Sequence, residues 1–356
     1  MSVINQNYMV SLEEAAQLIA AVPENRFDLR GEPGIGKSTL IKRISELSGI
    51  TRCAYVDVPN LDLGDTGMPV LNHETQTTGY YPNERFELHS GEPVLIMLDE
   101  FSKGMLPVRN MLHPLLEEHK PRFGNKDVPK GSIVLMTGNL STDGVGDSDP
   151  AHTIGRKSTL FIRKPSAEEW IMNFAIPNDL DAGLVAFVHE NPRIMASYVD
   201  PDQTDNPYIF HPTKVQGAYA SPRSLSRASN ILKRRKNLSH NAVMASLAGT
   251  VGLATANDLE AFIHYQDSLP PRDTILDDPK NARLPDAGAA CYVLVFNLVM
   301  LVDDSNINSI ITYVNRLPTE FQSVFFLQVA KNKDKQRVAF KNQMFRDWLL
   351  ANEDLL

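Results

Sequence analysis

Short apolar runs separated by helical patterns occupy the first 165 residues of the chain. Cys53–Val58, Val94–Leu98 and Ile133–Thr137 are mostly apolar without a strict alternation, as strands buried on both faces of a parallel sheet are. Phe27–Arg30 runs straight into a glycine-rich turn, and Leu160–Arg163 is a fifth candidate strand. Ser11 with Glu14 three residues on makes a capping box and predicts a helix to about Ala21, and a second helix is predicted over Lys37–Leu47. Strands alternating with helices predict crossover units on a parallel sheet. Within the irregular stretch after Asp57, Met68–Val70 and Thr77–Tyr81 flank a polar tip and predict an inserted hairpin. From Pro165 onward the strand signal fades. Helical periodicity takes over in Ala167–Phe174, Leu184–Val188, Ser224–Lys233 and Ala242–Leu253. Tyr198–Tyr219 and Leu269–Ala287 are rich in Asp, Pro and Asn and predict surface loops, each a candidate boundary.

A length of 356 residues has room for about two compact units. A net charge of −8 gives no general electrostatic reason to bind nucleic acid. Cys53 and Cys291, the two cysteines, are too few for a disulfide framework or a thiolate zinc site, which fits a reducing compartment and predicts the cytoplasm. The first residues lack a secretion signal, with Glu13 and Glu14 where the apolar stretch would be. Ala289–Val302, the most apolar run, is short of the roughly 18 residues that span a bilayer and is predicted to be a buried core helix, so no membrane anchor is expected.

Gly31-Glu32-Pro33-Gly34-Ile35-Gly36-Lys37-Ser38 fits G-x-x-x-x-G-K-[ST] and lies between a predicted strand and a predicted helix, followed by Thr39. Glycines let backbone N–H groups approach phosphate oxygens, and the helix N-terminus adds partial positive charge. Lys37 is then the partner of the β- and γ-phosphates and Ser38 a ligand of Mg²⁺. Val94–Leu98 ends in Asp99-Glu100, carboxylates at the edge where ligands collect on a parallel sheet. Asp99 suits Mg²⁺, held through its water shell, and Glu100 suits orientation of an attacking water, so the pair argues for hydrolysis. Ile133–Thr137 leads to Gly138 and Asn139, whose amide can bond both the γ-phosphate and that water.

Together these motifs resemble the AAA+ ATPases, and specifically their MoxR-like group, from about residue 10 to 305. GEPGIGKST is similar to the family's Walker A loop, LIMLDEFSKG to its Walker B strand, LMTGN to sensor 1 and SPRSLSRASNIL to the sensor 2 helix. The resemblance implies an α/β parallel-sheet P-loop core over residues 1–165 with a pore-facing hairpin insertion at about 64–84, an all-α lid over 166–268, and a helical C-terminal extension over 269–356. It implies ATP and Mg²⁺ as cofactors, with Asn139 as sensor 1 and Arg223 as sensor 2. It also implies an arginine acting in the neighbouring subunit's site: Arg156 is the choice and Lys157 and Arg163 are its rivals, because the family's usual aromatic after that arginine is missing from GRKSTLFIRKP. A finger in trans implies a homo-oligomeric ring, a hexamer in this family, and its relatives remodel protein clients, many with a von Willebrand factor A domain partner.

Two other function classes stay open: a nucleotide-gated scaffold with slow hydrolysis, and a DNA-directed motor. Lys233-Arg234-Arg235-Lys236 supplies a basic run for the last, although such a run at a helix C-terminus also complements the helix dipole. His113, His119, His152 and His211 have no metal-ligand spacing. Phe325, Phe326, Phe340, Phe345, Trp348, Leu349 and Leu350 recur at partly helical spacing and are expected in a core.

Overall fold

The computed structural model describes residues 8–140, 155–214 and 217–352. The chain divides into two compact units: one is the chain up to Lys164 with Pro212–Lys214, the other Pro165–His211 and the remainder.

The first unit contains nine described strands: β1 (Phe27–Arg30), β2 (Cys53–Asp57), β3 (Gly67–Asn72), β4 (Thr77–Pro82), β5 (Leu95–Asp99), β6 (Arg122–Phe123), β7 (Lys126–Asp127), β8 (Ile133–Gly138) and β9 (Ser158–Phe161). Five of them form a sheet in the order β2-β5-β8-β1-β9, every pair parallel. The register sets Arg30 opposite Gly138 and Asp57 opposite Asp99, so the carboxyl ends of β1, β2, β5 and β8 lie along one edge. β9 begins two residues before the expected Leu160. Pairing with β1 accounts for the early start, because Phe27 stands opposite Ser158 and Ser158 N–H donates to Arg26 O at 2.8 Å; beyond the strand's other end Ile162 pairs with Val10.

Side-chain alternation divides the sheet between two cores. Leu95, Met97, Ile133, Leu135, Phe27 and Leu29 face α1 (Leu12–Ala21) and α2 (Leu40–Ser48), which contribute Ala15, Ala16, Ile19, Leu40 and Ile44. The intervening Ile96, Leu98, Val134 and Met136 join Ala54, Val56 and the residues Val108 and Leu112 of the helix Leu106–Leu112. Both faces are covered, which is why the central strands carry continuous apolar runs; each fully buried Leu or Ile contributes about 1.5–3 kcal/mol. Ser11 caps α1 as predicted, its hydroxyl accepting from Glu14 N–H while Glu14 accepts from Ser11 N–H.

β3 and β4 form the expected antiparallel hairpin. Asn125, between β6 and β7, pins it at Tyr80: Asn125 N–H donates to Tyr80 O at 2.8 Å, and Tyr80 N–H to Asn125 Oδ1 at 3.2 Å. Met68, Leu71, Tyr80 and Tyr81 remain exposed on it.

The second unit is helical, and one hydrophobic core runs through it from Ala167 to Trp348. The expected helix Ala167–Phe174 is α-helical only to Trp170 and continues as a π-turn over Ile171–Ala175. Ala182–Glu190, Pro222–Leu232 and His240–Val251 follow; the last stops before Gly252 at φ 90°, and a new helix runs Leu253–Ser268. Gly288–Leu301 buries Ala290, Cys291, Val293–Phe296, Leu298 and Val299, the all-round burial that its composition requires. No helix among the described residues is long and apolar enough to cross a membrane. Phe325, Phe326, Phe345 and Trp348 enter the core, with Trp348 stacked on Phe326 at 4.0 Å between ring centroids, whereas Phe340 and Leu350 are exposed.

Both predicted surface loops need correction. The described residues of Tyr198–Tyr219 are irregular, as a loop is, yet partly internal: Phe210 packs between Tyr198 and Tyr219, and buried His211 donates from Nε2 to Asn206 O at 2.7 Å. Leu269–Ala287 holds a helix, Arg272–Asp277, organised by the burial of Ile275.

Candidate functional site

The turn after β1 is anchored at both ends. Gly31 N–H donates to Gly138 O at 3.4 Å, and Ile35 is buried in the core beneath the sheet. A Cβ at residue 31 would lie 2.7 Å from Ile35 Cδ1 and 2.9 Å from Ile162 O, so only glycine lets the turn close over β9. Gly36 sits at φ 109°, a left-handed conformation that an L side chain rarely adopts. A 3₁₀ turn, Lys37–Thr39, then leads directly into α2. Lys37 is buried, and its ammonium donates to Gly31 O at 2.7 Å, Glu32 O at 2.9 Å and Asn139 Oδ1 at 3.4 Å. The loop cradle and the amide at the end of β8 therefore meet at one cation, although they are 102 residues apart.

Asp99, at the end of β5, is buried. Ser38 Oγ donates to its carboxylate, 3.2 Å from Oδ1 and 3.1 Å from Oδ2. Thr137 on β8 donates to Oδ1, and Tyr55 on β2 donates to Oδ2 at 2.5 Å. Partial burial, then the bond to Asp99, pushes the Tyr55 phenol up to about 12, so it is a neutral donor at neutral pH. Asp99 makes no ion pair among the described residues, and a buried carboxylate held only by hydroxyls lacks a counter-charge. A hydroxyl and a carboxylate are the hard oxygen donors that Mg²⁺ takes, and one or two such ligands suffice when phosphates and waters complete the shell. Ser38 and Asp99 present such a pair of oxygen donors side by side at the carboxyl edge of the sheet.

Glu100 stands just beyond the strand in a left-handed conformation, φ 52° and ψ 38°, which costs about 1–3 kcal/mol in a non-glycine residue. Its N–H donates to Thr137 Oγ1 at 3.1 Å, so one threonine positions both carboxylate residues. Its side chain pairs with Lys103 at 2.6 Å.

A buried polar chain runs beside this edge. Lys157 Nζ lies 2.5 Å and Arg30 NH2 2.8 Å from Asp28 Oδ2, and Arg30 NH1 donates to Ser102 Oγ at 3.1 Å, two residues after Glu100. Gly138 makes room for this guanidinium, since a Cβ there would lie 2.6 Å from Arg30 NH1. Lys157, with a side chain only 5% exposed, is thus engaged by Asp28 of the same chain. Arg156 is partly exposed and reaches His113 Nδ1 at 3.0 Å and Glu117 at 3.1 Å. Arg163 lies beside β9. Arg223 belongs to the second unit and is exposed in the first turn of Pro222–Leu232, where Ser221 and Ser224 form a capping box after which Pro222 fits.

Gly31, Gly36, Lys37, Ser38, Asp99, Glu100 and Asn139 are thus gathered in the first unit along the edge that the sheet order defines. Glu32 and Ile35 are buried in the same turn, Pro33 and Gly34 are half-buried, and Thr39 donates to Gly36 O at 2.7 Å. Sequence reasoning missed Tyr55, Thr137, Asp28 and Arg30. The in-register pairing of β2 with β5 places Tyr55 diagonal to Asp99 on one face, a relation visible only once the strand order is known.

Other candidates lead away from binding. Lys233 pairs with Asp179 at 3.0 Å, and Arg235 with Asp181 at 3.3 Å and Asp267 at 2.7 Å, so half of the basic run is neutralised internally. Cys53 is exposed and Cys291 buried, both as free thiols. His152 lies outside the described residues.

No family model and no curated protein matches the chain. Similar solved structures include NtrX from Brucella abortus in complex with ADP, 14% identical over 97% of this chain and 67% of that one, with a TM-score of 0.40. A RuvB variant from Thermotoga maritima is 15% identical over 78% of this chain and 77% of its own, also at a TM-score of 0.40.

Proposed function

We propose that the protein is a Mg²⁺-dependent ATPase of the MoxR-like AAA+ type, working as a homo-oligomeric ring, a hexamer by family resemblance, whose hydrolysis remodels or activates a protein partner. The observation that supports it most is the convergence of a glycine-cradled lysine, a hydroxyl-bound aspartate and an asparagine at the carboxyl edge of a parallel sheet.

In this reading the Lys37 ammonium turns from the loop carbonyls to the β- and γ-phosphates of ATP, and Ser38 with Asp99 holds Mg²⁺. When bound, the metal neutralises charge developing on the transferred phosphoryl group. Glu100 takes a proton from the attacking water as the water oxygen bonds to the γ-phosphorus and the bond from that phosphorus to the β,γ-bridging oxygen breaks, so that ADP and inorganic phosphate leave, and the Asn139 amide holds the water. Glu100 must first leave Lys103, because the ion pair occupies the carboxylate oxygen that would have to reach the water. Arg223 acts as sensor 2. A cation in the first turn of a helix opposes the macrodipole by about 0.3–1 kcal/mol, a cost that contact with a phosphate would offset. Arg156 serves the neighbouring subunit, where such a finger is worth roughly 10³–10⁵ in rate. The β3–β4 hairpin, with Met68, Leu71, Tyr80 and Tyr81 exposed, is the surface offered to a client or to a von Willebrand factor A domain partner.

Phosphate release measured across protein concentrations, with Arg156→Ala mixed into wild type, tests the shared site. Specific activity is expected to climb with concentration, and the variant to lower it by more than its mole fraction. Activity independent of both would contradict the trans finger. A second reading, a nucleotide-gated scaffold, is favoured by the tethering of Glu100 to Lys103 and of Arg156 to His113 and Glu117. It predicts an inert ring that still needs ATP to assemble.

A further inference from the structure

Asp99 is held in an unusual way for a carboxylate that is only 8% exposed. Its partners among the described residues are three neutral hydroxyls, with Thr137 on Oδ1, Tyr55 on Oδ2 and Ser38 within reach of both oxygens. Thr137 comes from one neighbouring strand and Tyr55 from the other, so the carboxylate is gripped at both oxygens and its plane is fixed. A carboxylate that merely capped a helix or closed a salt bridge would need neither grip. An uncompensated buried charge whose orientation is fixed suits a cation placed beside it.

We propose that Tyr55 is a positioning residue for the divalent cation: its hydroxyl holds the Asp99 carboxylate toward Ser38 and so sets the affinity of the site for metal. The inference rests on the phosphate-site reading and extends it to a residue outside the loop motifs. Tyr55 is well suited to a test because it is 49% exposed and belongs to neither sheet core, so Tyr55→Phe removes only the hydroxyl, with its bond to Asp99 and its contact with Ser38, and leaves both cores intact.

The experiment uses the full-length protein with Mn²⁺ as the probe, its bound fraction read by electron paramagnetic resonance in the presence of ADP. ADP binding in EDTA is measured beside it by calorimetry. Loss of an outer-shell partner typically weakens metal binding about 10- to 100-fold. Tyr55→Phe is expected to weaken Mn²⁺ binding by about 10-fold, the low end because the tyrosine is partly exposed, and to leave ADP affinity in EDTA unchanged. Unchanged Mn²⁺ affinity would overturn the role of Tyr55 while leaving the phosphate site standing. An equal fall in ADP affinity with and without metal would also overturn it, because it would make Tyr55 a general support of the fold. Wild-type protein that binds neither ADP nor Mn²⁺ would overturn the phosphate-site reading, and this inference with it.

Discussion

Lys37→Ala is expected to abolish ATP turnover, with a loss of at least about 100-fold, the scale of removing one preorganised donor from a developing anion. Lys37 touches both halves of the site, the Gly31 and Glu32 carbonyls and the Asn139 amide. Alanine removes the charge that balances the phosphates and leaves two loop carbonyls without their donor, so ATP binding should weaken together with turnover. Arginine is no repair. Its planar fork cannot replace a compact ammonium in a turn this tight, where the lysine is only 8% exposed. Calorimetric titration of ATP, phosphate release and thermal unfolding of the same samples separate loss of the site from loss of the fold. Retained turnover in a folded variant would sink the phosphate-loop assignment.

Glu100→Gln should separate binding from chemistry. Glutamine keeps the shape of the side chain and loses the basic oxygen, so turnover should fall by about 10²–10⁴ while ATP stays bound. The substitution also removes the ion pair to Lys103. That pair is partly exposed on both sides and contributes about 0–1 kcal/mol, so stability should hardly change. Single-turnover mixing with radiolabelled ATP followed by filtration reads both quantities. A variant that hydrolyses at the wild-type rate would remove Glu100 from the mechanism and return it to the role of a strand-end turn residue.

The sheet and the loop were legible in the chain because both obey local rules. β5 and β8 read as apolar runs since helices cover both their faces, and the phosphate turn reads as a motif since backbone geometry permits few residues at Gly31 and Gly36. Partners distant in sequence were not legible. Asp99 meets Tyr55 across 44 residues and Thr137 across 38, and Asp28 meets Lys157 across 129, contacts that follow from strand order and not from spacing. The same limit explains the misjudged loops. Polar composition over Leu269–Ala287 concealed the buried Ile275 around which a short helix forms, and a stretch rich in Asp and Pro around Phe210 concealed an aromatic cluster. Lys157 stood as a rival to Arg156 on position alone, and only its burial against Asp28 sets it apart.

The most direct measurement is a calorimetric titration of wild-type protein with ATP in the presence of Mg²⁺, followed by assay of the same sample for released phosphate. Saturation at up to one ATP per chain, dependent on Mg²⁺ and accompanied by phosphate release, is the predicted result. Absence of binding at millimolar ATP would contradict the account at its centre, since the turn around Lys37 and the carboxylate of Asp99 would then be structural features with no nucleotide to hold.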